Sequence, residues 1–319
     1  MIRRYTRELS VAAALALLLL VLAAASPKFF EPANLRAVLL SDMPVVVAAI
    51  GMTLVILCRH IDISIGSQFS MCGMIAGLLA KQGLPAGVVA LATLGAGAVL
   101  GSINGALVAG MRLPSIVATL ATMVTWRESL RWITEGQAVQ NLPETFLWLG
   151  MGRPAGQAFI VAASLALLAA AAWGLRSLPA GRAVYAVGSD AEAARLAGIR
   201  PPRVVFGVFV LMGMLTALAA LLTAIQFRNV LPGEGAGLEL KVIAACVVGG
   251  VAISGGRGRV LGSFVGVIFL GAIGPALLFL GTQAYWEKAL QGAIILIAVV
   301  SDAIQLRQRK DAGAGLAAP

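Results

Sequence analysis

Charge is scarce in this chain. Asp, Glu, Lys and Arg make up 12% of its 319 residues and hydrophobic residues 60%, whereas an ordinary soluble domain is about one quarter charged, so a soluble globular reading is excluded. Histidine and cysteine are scarcer still. His60 is the only histidine and stands in no HExxH or CxxC setting, and Cys58, Cys72 and Cys246 lie in or beside apolar runs without metal-ligand spacing. These residues offer no metal centre and no disulfide framework, and the cysteines read as small buried hydrophobes. A phosphate-binding GxxxxGK[ST] run is also missing. The nearest approach, GGRGRVLGS at 255–263, lacks its ending, so the chain has no visible means of holding ATP. Without a cluster of His, Cys, Asp or Glu at one level, a membrane enzyme is poorly supported, as is a purely structural anchor.

What the chain does have is long apolar runs. About 20 residues cross a bilayer as a helix, and such runs lie near residues 9–25, 43–58, 66–80, 85–110, 114–133, 158–175, 204–226, 241–254, 260–280 and 286–304. They predict an all-α, polytopic membrane protein of about ten transmembrane helices, forming a single domain over 1–319. The basic start MIRRYTRELS is followed by one of these runs and then by many more, so it is read as an uncleaved first helix and not a signal peptide. A net charge of +10 does not form a stripe interleaved with aromatic residues, which excludes nucleic acid as a partner. The basic residues instead gather at the N-terminus, 176–203, 257–259 and 307–310, which places those segments and both termini in the cytoplasm. The loop 134–157, with Glu135 and Glu144 against Arg153 alone, falls outside.

Three stretches depart from the apolar pattern. In RHIDISIGS at 59–67, isoleucines alternate with Asp62, Ser64 and Gly66, a period of two that suits extended backbone. This is either a hairpin with Arg59 and Asp62 in water, or a break in helix beside a water-filled cavity. In the second case Asp62, Ser64, Ser67 and Asn104 are candidates for a translocation path, with Arg59 neutralising Asp62. A similar break, GGVAISGGRGRVLGS at 249–263, lies in the other half of the chain and hints at an internal repeat with interrupted segments, as in transporters. The third stretch, opened by Gly181 and continuing RAVYAVGSDAEAARLAGI over 182–199, holds a short charged helix. Ser189 and Glu192 predict an S-x-x-E capping box over Ala191–Ala197, with Gly198 as the stop and Pro201 and Pro202 beyond it. So short a helix needs outside support. Its small-residue face of Ala191, Ala194 and Ala197 beside Asp190, Glu192 and Arg195 suits a polar groove on a partner.

The succession HIDISIGS (60–67), NGALVAGMRLPSIVATLATM (104–123), AVGSDAEAARLAGI (186–199) and GGVAISGGRGRVLGS (249–263) resembles the permease subunit of bacterial ribose-type ABC sugar importers along nearly the whole length. Within that family, TWRESLRWITEGQAVQNLP at 125–143 is most similar to rhamnose and autoinducer-2 permeases. The resemblance implies a transport subunit of the inner membrane, with no catalytic residue and no cofactor of its own, importing a monosaccharide or related small polyol-like solute by alternating access. It also implies a second permease copy or paralogue, a periplasmic sugar-binding protein, and a cytoplasmic ATPase, often with two fused nucleotide-binding domains, that holds ATP and Mg. The segment 181–203 then corresponds to the coupling segment, with Ser189, Asp190, Ala191, Glu192, Ala194, Arg195 and Gly198 engaging the ATPase. Two positions depart from the family pattern: His60 stands where glycine is usual, and Asp190 where asparagine is common. An ion-coupled secondary transporter is the alternative, and would show paired charges inside several spans; outside Asp62 the spans read as almost charge-free.

Overall fold

The computed structural model describes residues 6–283, 286–293, 296 and 300, with side chains from residue 11 onward. Eleven α-helices are assigned among the described residues, in order: α1 Thr6–Ala25, α2 Pro32–Leu57, α3 Ile65–Lys81, α4 Ala86–Gly105, α5 Ser115–Thr134, α6 Arg153–Ser177, α7 Pro179–Ser189, α8 Ala191–Leu196, α9 Pro201–Ala224, α10 Leu238–Val248 and α11 Val260–Phe279. Residues 286–293 are also helical. Apart from residues 296 and 300, the remainder of the expected span 286–304, and the basic positions 307–310, lie outside the described residues. Among the described residues the only β-type pairing is a single bridge between Val139 and Val230.

Five helices among the described residues are long and apolar enough to cross a bilayer: α2, α4 with its continuation to Gly110, α6, α9 and α11. The described parts of the other expected runs are also helical, with shifted ends, but only these five have the length and apolarity of a span among the described residues, so the expected count of about ten is not reached there. The largest shift is at 43–58, which begins eleven residues earlier, at Pro32. Pro32 opens that helix in the first-turn position proline tolerates, and Pro44 within it only removes one bond, to the carbonyl of Leu40. The run expected at 241–254 stops at Val248, where Gly249, Gly250 and the glycines of 255–258 take over.

Helix α2 is apolar all round and mostly buried, as a central helix must be. It packs on α9, α11, α6 and α10, while α9 also covers α3 and α4. Helices α4 and α9 approach each other closely along glycines. Gly97 and Gly101 stand one turn apart on α4, and a β-carbon on Gly97 would collide with the Gly213 carbonyl oxygen. Small residues at i and i+4 let helix backbones touch, which is how helices associate where lipid is as apolar as leucine.

The bundle holds more charge than the apolar runs suggest. Asp42 of α2 is fully buried, and Lys241 of α10 donates to its Oδ1 at 3.2 Å. Its carboxylate occupies the space left by Gly271 of α11, where a β-carbon would overlap both carboxylate oxygens. Arg127 of α5 and Glu239 of α10 approach to 3.6 Å, both largely enclosed. An unpaired charge in a span costs about 3 kcal/mol, and Asp42 and Glu239 are each placed beside a base.

At one end of the bundle, loops 135–152 and 225–237 hold each other through Val139 and Val230, Leu142 to the Arg228 carbonyl, and an Arg228–Glu144 ion pair. The opposite end gathers the three unusual stretches.

Candidate functional site

The break after α2 is set by Arg59, which takes a left-handed φ of 67° and ends the helix. His60, where glycine is usual in the family, needs no positive φ, so the substitution is accommodated without strain. From Ile61 the chain makes a short non-helical link and then a turn at 63–64, with Ser64 already in the right-handed helical region and α3 opening at Ile65, so the extended run suggested by the alternation does not form over 63–66. The link is stitched to the start of α5. Ser115 Oγ accepts the Ile61 amide at 3.2 Å, and Thr119 Oγ1 accepts the Ile63 amide at 3.0 Å.

Asp62 then points inward, fully buried. Its Oδ1 accepts the Ser64 amide at 2.9 Å and the Ser64 hydroxyl at 2.5 Å, and its Oδ2 accepts Gln68 Nε2 at 2.9 Å. Asn104 Nδ2 lies 3.4 Å from both oxygens and 2.8 Å from Ser64 Oγ, while its own Oδ1 accepts Thr122 Oγ1 at 2.9 Å. Ser67 donates to the Met123 carbonyl at 2.7 Å. Asp62, Ser64 and Asn104 are thus brought together with Gln68 and Thr122 as an enclosed polar knot joining α3, α4 and α5, while Ser67, bonded to the α5 backbone, stays outside that network. Arg59 does not neutralise Asp62. Its Nη2 donates to the Ser189 carbonyl at 2.5 Å instead, and hydrogen-bond donors replace the expected counter-charge.

The segment 181–203 forms two helices where one was expected. Helix α7 ends at Ser189, and α8 begins after a bend. The expected capping box is not formed: Asp190 is the N-cap, its Oδ1 accepting the amides of Glu192 at 2.9 Å and Ala193 at 3.0 Å, while Glu192 pairs forward with Arg195 at 2.5 Å. An aspartate one residue later serves as well as a serine, and its bond captures the donors first. Gly198 does take the left-handed turn, with φ 84°. Of the supposed docking face, Ala194 is buried against its own chain, whereas Ala191 and Ala197 are exposed. The projecting groups are Glu192, Arg195 and Leu196, the last 80% exposed.

The two breaks and the bend meet at one junction. The Gly256 amide donates to the Leu57 carbonyl at 2.9 Å, and Tyr185 Oη donates to the Gly258 carbonyl at 2.8 Å. Gly188 lies so close to α2 that a β-carbon would overlap the Leu57 oxygen, so no other residue fits between these backbones. Beside the junction a cavity of about 600 Å³ opens between residues 58–60, 108–116, 187–191 and 201–205, with Arg59, His60 and Arg112 in its wall. Among the described residues no three of His, Cys, Asp or Glu come together as a metal site, and Cys58, Cys72 and Cys246 are free and buried.

Sequence reasoning missed Gln68, Ser115, Thr119 and Thr122, ordinary polar residues in apolar runs, and the Arg59–Ser189 link, which joins positions 130 apart. It missed the Asp42–Lys241 pair as well, although SDMP at 41–44 and ELK at 239–241 carry the charges in plain view.

Comparison with known proteins places this arrangement. Residues 34–299 match the family described as branched-chain amino acid transport system, permease component. The chain is similar to the autoinducer 2 import system permease protein LsrC of Enterobacter sp. (strain 638), with 36% identity over 302 residues covering 95% of this chain and 88% of that one. The protein of the same name from Klebsiella pneumoniae is 37% identical over 95% and 88% of the two chains, and that from Escherichia coli K12 is 34% identical over 93% and 86%. No solved structure matches the chain.

Proposed function

The chain belongs to this permease family, as a membrane transport subunit and not an enzyme, and from that premise we propose that it is the membrane-spanning subunit of an ATP-driven ABC importer for autoinducer 2 or a related small sugar-like solute. One observation carries the reading: relatives matched over nine-tenths of this chain at 34–37% identity are named for autoinducer 2 import. The family description names amino acids, but the relatives match along almost the full length of both chains and weigh more. Transport proceeds by exchange between outward- and inward-facing states whose populations ATP binding and hydrolysis on a partner shift.

Residues 1–319 act as one domain in the inner membrane with both termini cytoplasmic, and α8 enters a cleft of an ATPase that carries two nucleotide-binding domains. A periplasmic binding protein delivers the solute to the 135–152 and 225–237 end. A second permease completes the path. Support for that pairing comes from α5, which exposes Val117, Leu120 and Val124 but also Thr125, Glu128 and Arg131; such a mixed face is better placed against protein and water than against lipid. Asp62 braces the wall of the path through Ser64, Gln68 and Asn104.

Orientation is checked by reporter fusions, which should report cytoplasm after Arg182 and Arg257 and periplasm within 134–157; a periplasmic signal at Arg182 rules out the coupling role. Function is tested in proteoliposomes holding the permease and ATPase with the binding protein outside. Accumulation of autoinducer 2 should require internal ATP and survive collapse of the ion gradients. The buried Asp42–Lys241 pair is the feature favouring an ion-coupled transporter, and uptake driven by a proton or sodium gradient without ATPase would establish that alternative.

A further inference from the structure

Arg59 ends α2, hooks the end of α7 and stands three residues before Asp62. Its guanidinium meets the Ser189 carbonyl, at a helix C-terminus where the backbone carries partial negative charge, and the next residue, Asp190, caps α8. On the other side the chain runs directly from Arg59 into Ile61 and Ile63, whose amides are fixed to Ser115 and Thr119 of α5. On the side of residues 255–256 the backbone packs tightly against this link, opposite the cavity. A β-carbon on Gly255 would collide with Arg59 Cγ, and one on Gly256 with Ser189 Oγ.

We infer that Arg59 is the positioning residue that transmits movement of α8 to the Asp62 loop and so to α3, α4 and α5. The inference rests on α8 docking to an ATPase. Three observations favour a moving link over a static brace. The Arg59 side chain ties the 59–64 segment directly to the end of α7, it does so at a bend between two helices, and it borders the open cavity at His60 and Arg112. A shift of α7–α8 against α2 therefore has room to occur and a polar hook to convey it. Contacts that switch between two arrangements amplify small displacements.

The test uses the full chain purified with its ATPase, in a background with Cys58, Cys72 and Cys246 replaced and His60→Cys as the reporter position. Labelling by a membrane-impermeant thiol reagent is followed with and without ATP and vanadate. With Arg59 present, nucleotide should change the labelling rate by about tenfold, in the range usual for coupling between two sites. Arg59→Ala should reduce that response to below about twofold while the ATPase still co-purifies and hydrolyses ATP, and Arg59→Lys, which keeps a donor and the charge, should restore part of it. Comparable loss of uptake relative to ATP hydrolysis should accompany Arg59→Ala. An undiminished response in Arg59→Ala, or no response with Arg59 intact and ATPase bound, overturns the inference alone. Failure of any ATPase to bind overturns it together with the proposed function, so the two failures are distinguishable.

Discussion

Leu196→Glu, and Glu192→Arg beside it, should abolish import while leaving the permease inserted and as stable as the parent. The side chain of Leu196 is 80% exposed, so it stabilises nothing within this chain. Glu192 pairs through its side chain with Arg195, as an exposed i,i+3 pair, and such solvent-screened pairs contribute little to stability. If α8 enters a cleft of the ATPase, burying a leucine there gains about 1.5–3 kcal/mol, and placing a carboxylate in its stead adds a desolvation cost. Together these weaken docking by on the order of 100-fold or more. Ala194→Trp is a poorer probe because Ala194 is buried within the permease and its enlargement would disturb the support of α8. Uptake and ATPase co-purification should fall together in the two exposed variants, with melting in detergent unchanged. Normal uptake by both at normal expression would leave α8 as a connector on the membrane surface.

The second large effect is expected at Asp62. Asp62→Ala strands the Ser64 amide and hydroxyl and one N–H of Gln68 Nε2, whose other bond to Ser64 Oγ at 2.8 Å remains, and deprives Asn104 of its two longer contacts, all inside the bundle. A buried donor left without an acceptor costs about 1–3 kcal/mol, so the sum is on the order of 4 kcal/mol, enough to deplete the folded permease of a marginally stable bundle. Asp62→Asn should be milder. The shape is kept, and Gln68 can rotate its amide so that Oε1, which has no partner now, accepts from the new amide group. The expected order in thermal melting and in yield is parent above Asn, and Asn well above Ala. If instead Asp62→Ala melts like the parent and only uptake is lost, Asp62 touches the solute and is not a brace.

How much of this was visible in the chain differs from element to element. The interruption of helix at 60–64 was legible because alternation of isoleucine with polar residues is a local signal, although its shape was not, since 63–64 form a turn and Ile65 already opens α3. The stop at Gly198 was legible because few residues other than glycine accept that backbone shape. The start of α8 at Ala191 was legible, but its cap was misassigned by one position: Ser189 and Asp190 are adjacent and both competent caps, and Ser189 is still the last residue of α7. A separation of 130 residues in sequence hid the true partner of Arg59. The path candidates Asp62, Ser64 and Asn104 were found by their polarity, but polarity does not reveal whether such groups face water or one another. Their enclosure follows from Gly97 and Gly101 drawing α4 onto α9 and from threonines of α5 that look unremarkable one at a time. Asp42 escaped notice because a single acid in an apolar run reads as a span boundary until Lys241 and Gly271 are seen around it.

The central claim is that this permease works as one subunit of an ATP-driven importer and that α8 is where it engages the motor. Affinity purification of the full chain in mild detergent, with identification of whatever comes with it, tests that claim most directly. The account predicts recovery of an ATPase with two nucleotide-binding domains, bound to the parent and lost from Leu196→Glu. A permease that purifies without any ATPase, yet restores uptake driven by an ion gradient, would contradict it.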